Sequence, residues 1–456
     1  MNEHVLLLSQ KYPAIEKLIE KEGGTTISDY LRKIRHFSLP SIMPSSDLLE
    51  EVSSYFLPFF GKEKAKEASR IIQVNRCIST SNHHHFASEF MTVQETILYD
   101  SWLRIHGEES SVVPFFAASN VNLTNTVYPR GMLIYDTLSS QESFRLPLYH
   151  WKLKRQCVAA LHGINNEMIN RAKERIEKEV LLRTISKGMG DTLLTLCDEI
   201  FLSSDVLKYD MLKDQTTVVN ALLSQKYFLD RETMYLWMPL ETIASRLFLR
   251  DIQYEDGILY NILFNKELRS LLLANLDGVS GCWTDCGGGG GTHFFWALDS
   301  SAILFPLHLK EKNGELVLIG ENSLKEEVVI SFQRESLEEK IDEGVLLPGL
   351  FLSFLEIYFL RDFSVFGGYY QPTYLKKMSD GLVKSLRKLN VFEKEASIIE
   401  KKTNYLSLGL TYLLRSNNER NYPVSTAELL EEPIKTQLVD EKLKITTIED
   451  SLMLLH

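Results

Sequence analysis

The chain has 456 residues, 44% hydrophobic and 24% charged, a balance that predicts a globular protein of two or three domains with a sizeable core. Its net charge of −11 excludes non-specific nucleic-acid binding, which needs a positive surface to release counterions from phosphates. The scattered cysteines Cys77, Cys157, Cys197, Cys282 and Cys286 make no disulfide framework, so a reducing cytoplasm is the expected location.

The first residues, MNEHVLLLSQKYP, lack the basic flank and small-residue cleavage site of a signal peptide. Residues 1–70 read as a helical segment, with apolar positions three and four apart and Ser46 or Asp47 available as an N-cap. Residues 71–150 read as the first part of an α/β core. IIQVNRCIST predicts a buried strand, TSNHHH a polar turn, and FMTVQETILYDSWLRIHGEE a helix. SVVPFFAAS and MLIYD follow as further apolar runs, each near a polar cluster. This rhythm predicts a helix-rich α/β fold with a parallel sheet, and ligands in such folds bind beyond the carboxyl ends of the strands.

Residues 151–275 predict a mainly helical subdomain. Its strongest element is INNEMINRAKERIEKEVLLRTIS, capped by Asn165 or Asn166. Residues 276–335 switch to β character, with Lys312-Asn313-Gly314 as a turn, and give a small antiparallel section. VLLPGLFLSFLEIYFL is too short to span a bilayer comfortably and carries Pro348 and Glu356. It predicts a core helix within a helical segment, 336–415, that completes the core. Residues 416–456 read as a polar C-terminal tail, either loosely held or ending in a docked helix.

Four clusters could carry chemistry. His83, His84 and His85 follow a strand beside Thr80 and Asn82, where imidazoles would serve as acid/base groups or contact an anion. The loop GCWTDCGGGGGTHFFW offers unobstructed backbone amides at Gly288 and Gly289, with Thr292 and His293 beside them. Cys282, Cys286 and His293 are also a plausible zinc set. FSVFGGYYQPTYLKKM places Tyr370 and Gln371 after a glycine pair, suited either to a small polar ligand or to a helix–helix turn. Asn120 and Asn122 lie in the polar stretch after the second apolar run. Arg130, in YPRG, would clamp a carboxylate or phosphate or pair with a surface acid.

The stretch from Arg76 to Leu133, containing ISTSNHHHF, VQETILYDSWL and SVVPFFAASNVNLTN, resembles the bacillithiol-synthesising cysteine-ligase family. The resemblance implies a Rossmann-like parallel-sheet core with a helical insertion. At the key turn Ser81-Asn82-His83-His84 stands where the family has glycine and glutamines, so the ligase activity does not carry over.

Three functions remain open on these residues. The leading one is a transferase or ligase acting on a small anionic metabolite. It would use His83, His84 and His85 for catalysis, with Thr80, Asn82, Asn120, Asn122, Arg130, Gly288, Gly289, Thr292, His293, Tyr370 and Gln371 holding the ligand. A nucleotide or acyl donor would suit it. The alternatives are a zinc hydrolase built on Cys282, Cys286, His293 and the histidine run, and a non-catalytic ligand-binding or scaffold protein. Neither a membrane nor a nucleic-acid partner is expected, and a homodimer is left open.

Overall fold

The computed structural model describes residues 13–35, 37–124, 130–138, 143–284, 290–368, 370–406, 410–417 and 420–453. It is a mixed α/β structure around one five-stranded sheet. The strands are β1 (Cys77–His83), β2 (Val112–Ala118), β3 (Met234–Pro239), β4 (Ser364–Gly367) and β5 (Asn404–Leu406). All neighbours pair in parallel, and their spatial order is β3-β2-β1-β4-β5. The chain therefore builds outward from β1 in one direction, then returns to its other side with β4.

Side-chain alternation explains why these strands read as continuous apolar runs. Cys77, Val113, Phe115, Tyr235, Trp237 and Phe366 point into one core. Ile78, Val112, Phe116, Leu236, Met238 and Val365 point into the other. With both faces covered by helices, neither face can be polar. Helices Phe90–Ile105 and Leu212–Ser224 pack on the first face. Helices Ser45–Asn75, Leu240–Asp251 and Gln371–Lys388 pack on the second.

Several sequence expectations shift. Ile71 to Asn75 belong to the long helix, not to a strand, because Ala65, Ala68, Ile71 and Ile72 extend one buried stripe. The helix stops when Arg76 takes a left-handed φ of 50°. It starts at Ser45 behind Pro44, without a side-chain cap from Ser46 or Asp47, and kinks at Gly61, whose φ of 77° suits glycine. Gly131–Ile134 does not join the parallel sheet; it pairs antiparallel with Phe144–Pro147. Residues 151–275 are not wholly helical, since MYLWMP forms β3 at the edge of the sheet.

Other expectations hold. Asn165 accepts a hydrogen bond from Met168 N at 3.0 Å and caps helix Asn166–Leu181. The β section folds into antiparallel strands, with Asn313 (φ 54°) and Gly314 (φ 80°) turning between His308–Lys312 and Glu315–Glu321. Of the two C-terminal alternatives the structure has the docked one, not a loosely held tail: Ala427, Leu429, Val439, Leu443, Ile448 and Leu452 on three helices are buried in the first core.

Candidate functional site

The carboxyl edge of the sheet holds the candidate site. β1 pairs with β4 only as far as Ser79 opposite Phe366, and its register with β2 shifts between Ser79 and Asn82. Beyond Ser79 the pairing of β1 with β4 ends, and a side chain links the two segments: Gln371 Nε2 donates to Thr80 Oγ1 at 2.8 Å. Thr80 and Gln371 are buried, and Gln371 Oε1 has no partner among the described residues. Gly367 makes the bridge feasible, since a Cβ there would stand 1.6 Å from Gln371 Oε1. Sequence reading named both residues but not their contact.

The histidine run continues from β1. His83 ends the strand and is half-buried, whereas His84 and His85 are fully buried. Each buried ring spends one nitrogen on a main-chain carbonyl. His84 Nε2 meets Lys213 O at 2.7 Å, and His85 Nδ1 meets Phe86 O at 2.7 Å. Burial lowers the His84 pKa to about 4, with the nearby Lys213 charge adding to the effect, and lowers that of His85 to about 3. Both rings are therefore neutral near pH 7. His84 Nδ1 has no partner among the described residues.

The next two strands add groups that the sequence reading missed. Glu241, in the first turn of the helix after β3, is buried and accepts from Ser119 N at 2.8 Å and Ser119 Oγ at 2.7 Å. Burial raises its pKa, although the Ser119 amide and hydroxyl favour the carboxylate. Its Oε1 has no partner among the described residues. The signal was a buried apolar run, MYLWMP, followed by a helix carrying an acid at its start. The surrounding helical periodicity concealed it.

The other sequence candidates scatter. Asn120 Nδ2 donates to Pro348 O at 3.3 Å beside this edge, while Asn122 is exposed on a segment bridged to Cys157. The φ of Arg130 is 69°, and its guanidinium donates to Tyr149 O at 2.8 Å beside the open end of the Gly131–Pro147 hairpin. Tyr370 is half-exposed next to Gln371. Asn82 is described by its backbone alone, and Cys286, Gly288 and Gly289 lie outside the described residues.

Thr292 and His293 belong to the β section. The Thr292 hydroxyl joins the Phe295 and Leu307 carbonyls, and His293 Nδ1 accepts from Leu309 N at 3.0 Å. The His293 ring lies 5.2 Å from that of Trp283 and 4.9 Å from that of His308. Cys282 is packed in the second core, where burial pushes its thiol up to about 12. Among the described residues, no three His, Cys, Asp or Glu side chains gather as a metal site requires. No helix among them is long and apolar enough to cross a membrane. Comparison with family models, curated proteins and solved structures found no match to this chain.

Proposed function

We propose that the sheet is a Rossmann-like core and that the chain is a transferase or ligase acting on a small anionic metabolite at the crevice between β1 and β4. The order β3-β2-β1-β4-β5 reverses direction at that point, where ligands of open parallel sheets bind. The observation that carries this reading is the Gln371–Thr80 hydrogen bond. It joins two residues 291 positions apart where the β1–β4 pairing ends. In this reading Thr80 and Gln371 orient the ligand, half-buried His83 contacts it, and Asn120 lines the rim. Helices Phe90–Ile105 and Gln371–Lys388 begin just beyond this edge, so their positive ends favour an anion there.

A thermal-shift series with ATP, coenzyme A esters and the free amino acids tests it. At least one anionic compound should raise the Tm of the wild type by a few degrees, and Gln371→Ala, checked for folding by circular dichroism, should lose that gain. The reading fails if no compound stabilises the wild type, or if the gain is equal in the variant.

A further inference from the structure

The loop that leaves β1 takes its path from elsewhere in the chain. Residues His84 to Ser88 are buried and belong to neither strand nor helix, so their main-chain groups need partners outside a ladder. Side chains supply several of them. Asn220, on helix Leu212–Ser224, accepts from Ala87 N and donates to His85 O, both at 2.9 Å. The Thr426 hydroxyl donates to Ala87 O, and the Ser425 hydroxyl donates to Ser88 O. Ser88 Oγ in turn accepts from Leu133 N at 3.2 Å. Asn220, Ser425 and Thr426 are at most 1% exposed.

The two hydroxyls sit in a turn that is itself fixed. A carbonyl can only accept, so the single Thr426 hydroxyl hydrogen goes to Ala87 O, and Tyr227 OH donates to Thr426 Oγ1 in return. Glu428 takes Ser425 N at 3.0 Å on one oxygen, with Tyr135 N at 2.6 Å and Asp136 N at 3.0 Å on the other. Its carboxylate thereby ties the turn to the chain leaving strand Gly131–Ile134. The turn opens helix Thr426–Glu431, whose Ala427 and Leu429 belong to the first core. The loop after β1 therefore rests on residues 337 and 339 positions further along the chain.

Shape alone does not require this chemistry. Alanine and valine would fill nearly the same space as Ser425 and Thr426, but would leave the Ala87 and Ser88 carbonyls buried without those donors. The loop would then have to shift to regain partners, and its neighbours would shift with it. Half-buried His83 ends β1 just before the loop, and helix Phe90–Ile105 begins just after it.

Resting on the site reading above, we propose that Ser425 and Thr426 are positioning residues for the ligand edge. The C-terminal turn sets the path of the loop between β1 and helix Phe90–Ile105, so ligand affinity depends on two hydroxyls closed off from solvent.

Full-length Thr426→Val, Thr426→Ser and Ser425→Ala test this in two measurements. Amide hydrogen exchange without ligand reads the loop. Peptides covering 84–90 should exchange about tenfold faster in Thr426→Val and Ser425→Ala, return to the wild-type rate in Thr426→Ser, and stay unchanged over 112–118. Titration calorimetry with whichever of ATP, acetyl-coenzyme A or a free amino acid stabilises the wild type reads the edge. Its Kd should rise about tenfold in Thr426→Val and Ser425→Ala and recover in Thr426→Ser. Circular dichroism checks folding, and Ser425→Ala, the smaller change, decides if Thr426→Val does not fold. Faster loop exchange with an unchanged Kd would leave the turn a scaffold and overturn the proposal, as would unchanged loop exchange. A wild type that no compound stabilises sinks the site reading, and this proposal with it.

Discussion

Burial of His85 ties folding to pH. Its folded pKa of about 3 lies below the ordinary value of 6.5, so between those values the unfolded chain binds a proton that the folded chain does not. Its contribution is intact above pH 6.5 and declines as the pH falls, by about 1.4 kcal/mol per pH unit. Glu428 works in the opposite sense. Burial pushes it up to about 7, so its contribution is present below the ordinary value of 4.5 and is lost as the pH rises through 7. Comparing variants isolates the histidine. In urea unfolding, the stability difference between wild type and His85→Gln should shrink by roughly 1.4 kcal/mol for each pH unit below 6.5. A pH-independent difference would mean that His85 is protonated in the fold.

At the scale of elements, the turn after β4 depends on what Gly367 lacks. A methyl at that position collides with the Gln371 carboxamide, which must leave Thr80 or move the strand. Gly367→Ala should therefore cost about 1–3 kcal/mol and remove ligand-induced stabilisation, read by denaturant unfolding and thermal shift. An unchanged Tm with full ligand response would show that the bridge is dispensable. The strands β1 and β2 were legible because apolar runs ended in polar turns. β3 was not, since MYLWMP sits between helices Leu212–Ser224 and Leu240–Asp251 and reads with their period. The start of β1 was misplaced because IIQV continues the stripe of the preceding helix. Thr80 and Gln371 were each legible as candidates, but only the parallel register brings them together. For Arg130, a proline–arginine–glycine turn looks the same in sequence whether it faces a ligand or leads into a hairpin.

Across the whole molecule, the second core carries a buried charge cluster just ahead of β4. Arg361 reaches Asp251 at 3.0 Å and Glu356 at 3.2 Å, with all three side chains excluded from solvent. Burial raises the Glu356 pKa well above its ordinary value, and the neighbouring Asp251 charge adds to this. Replacing Arg361 by Met strands two acids together and should cost about 3–5 kcal/mol in urea unfolding. A change below 1 kcal/mol would show that the acids are already neutral without it. This cluster lies at the opposite end from the candidate site, so Arg361→Met should weaken the fold without altering ligand selectivity.

Ligand is expected to bind at the carboxyl edge between β1 and β4. Amide hydrogen exchange on the full chain, with and without the compound that most raises the Tm, tests it most directly. Protection should concentrate in residues 78–90 and 364–374. Protection confined to the distant groove of about 750 Å³ lined by Leu271, Asn275, Lys384 and Arg387 would contradict the account.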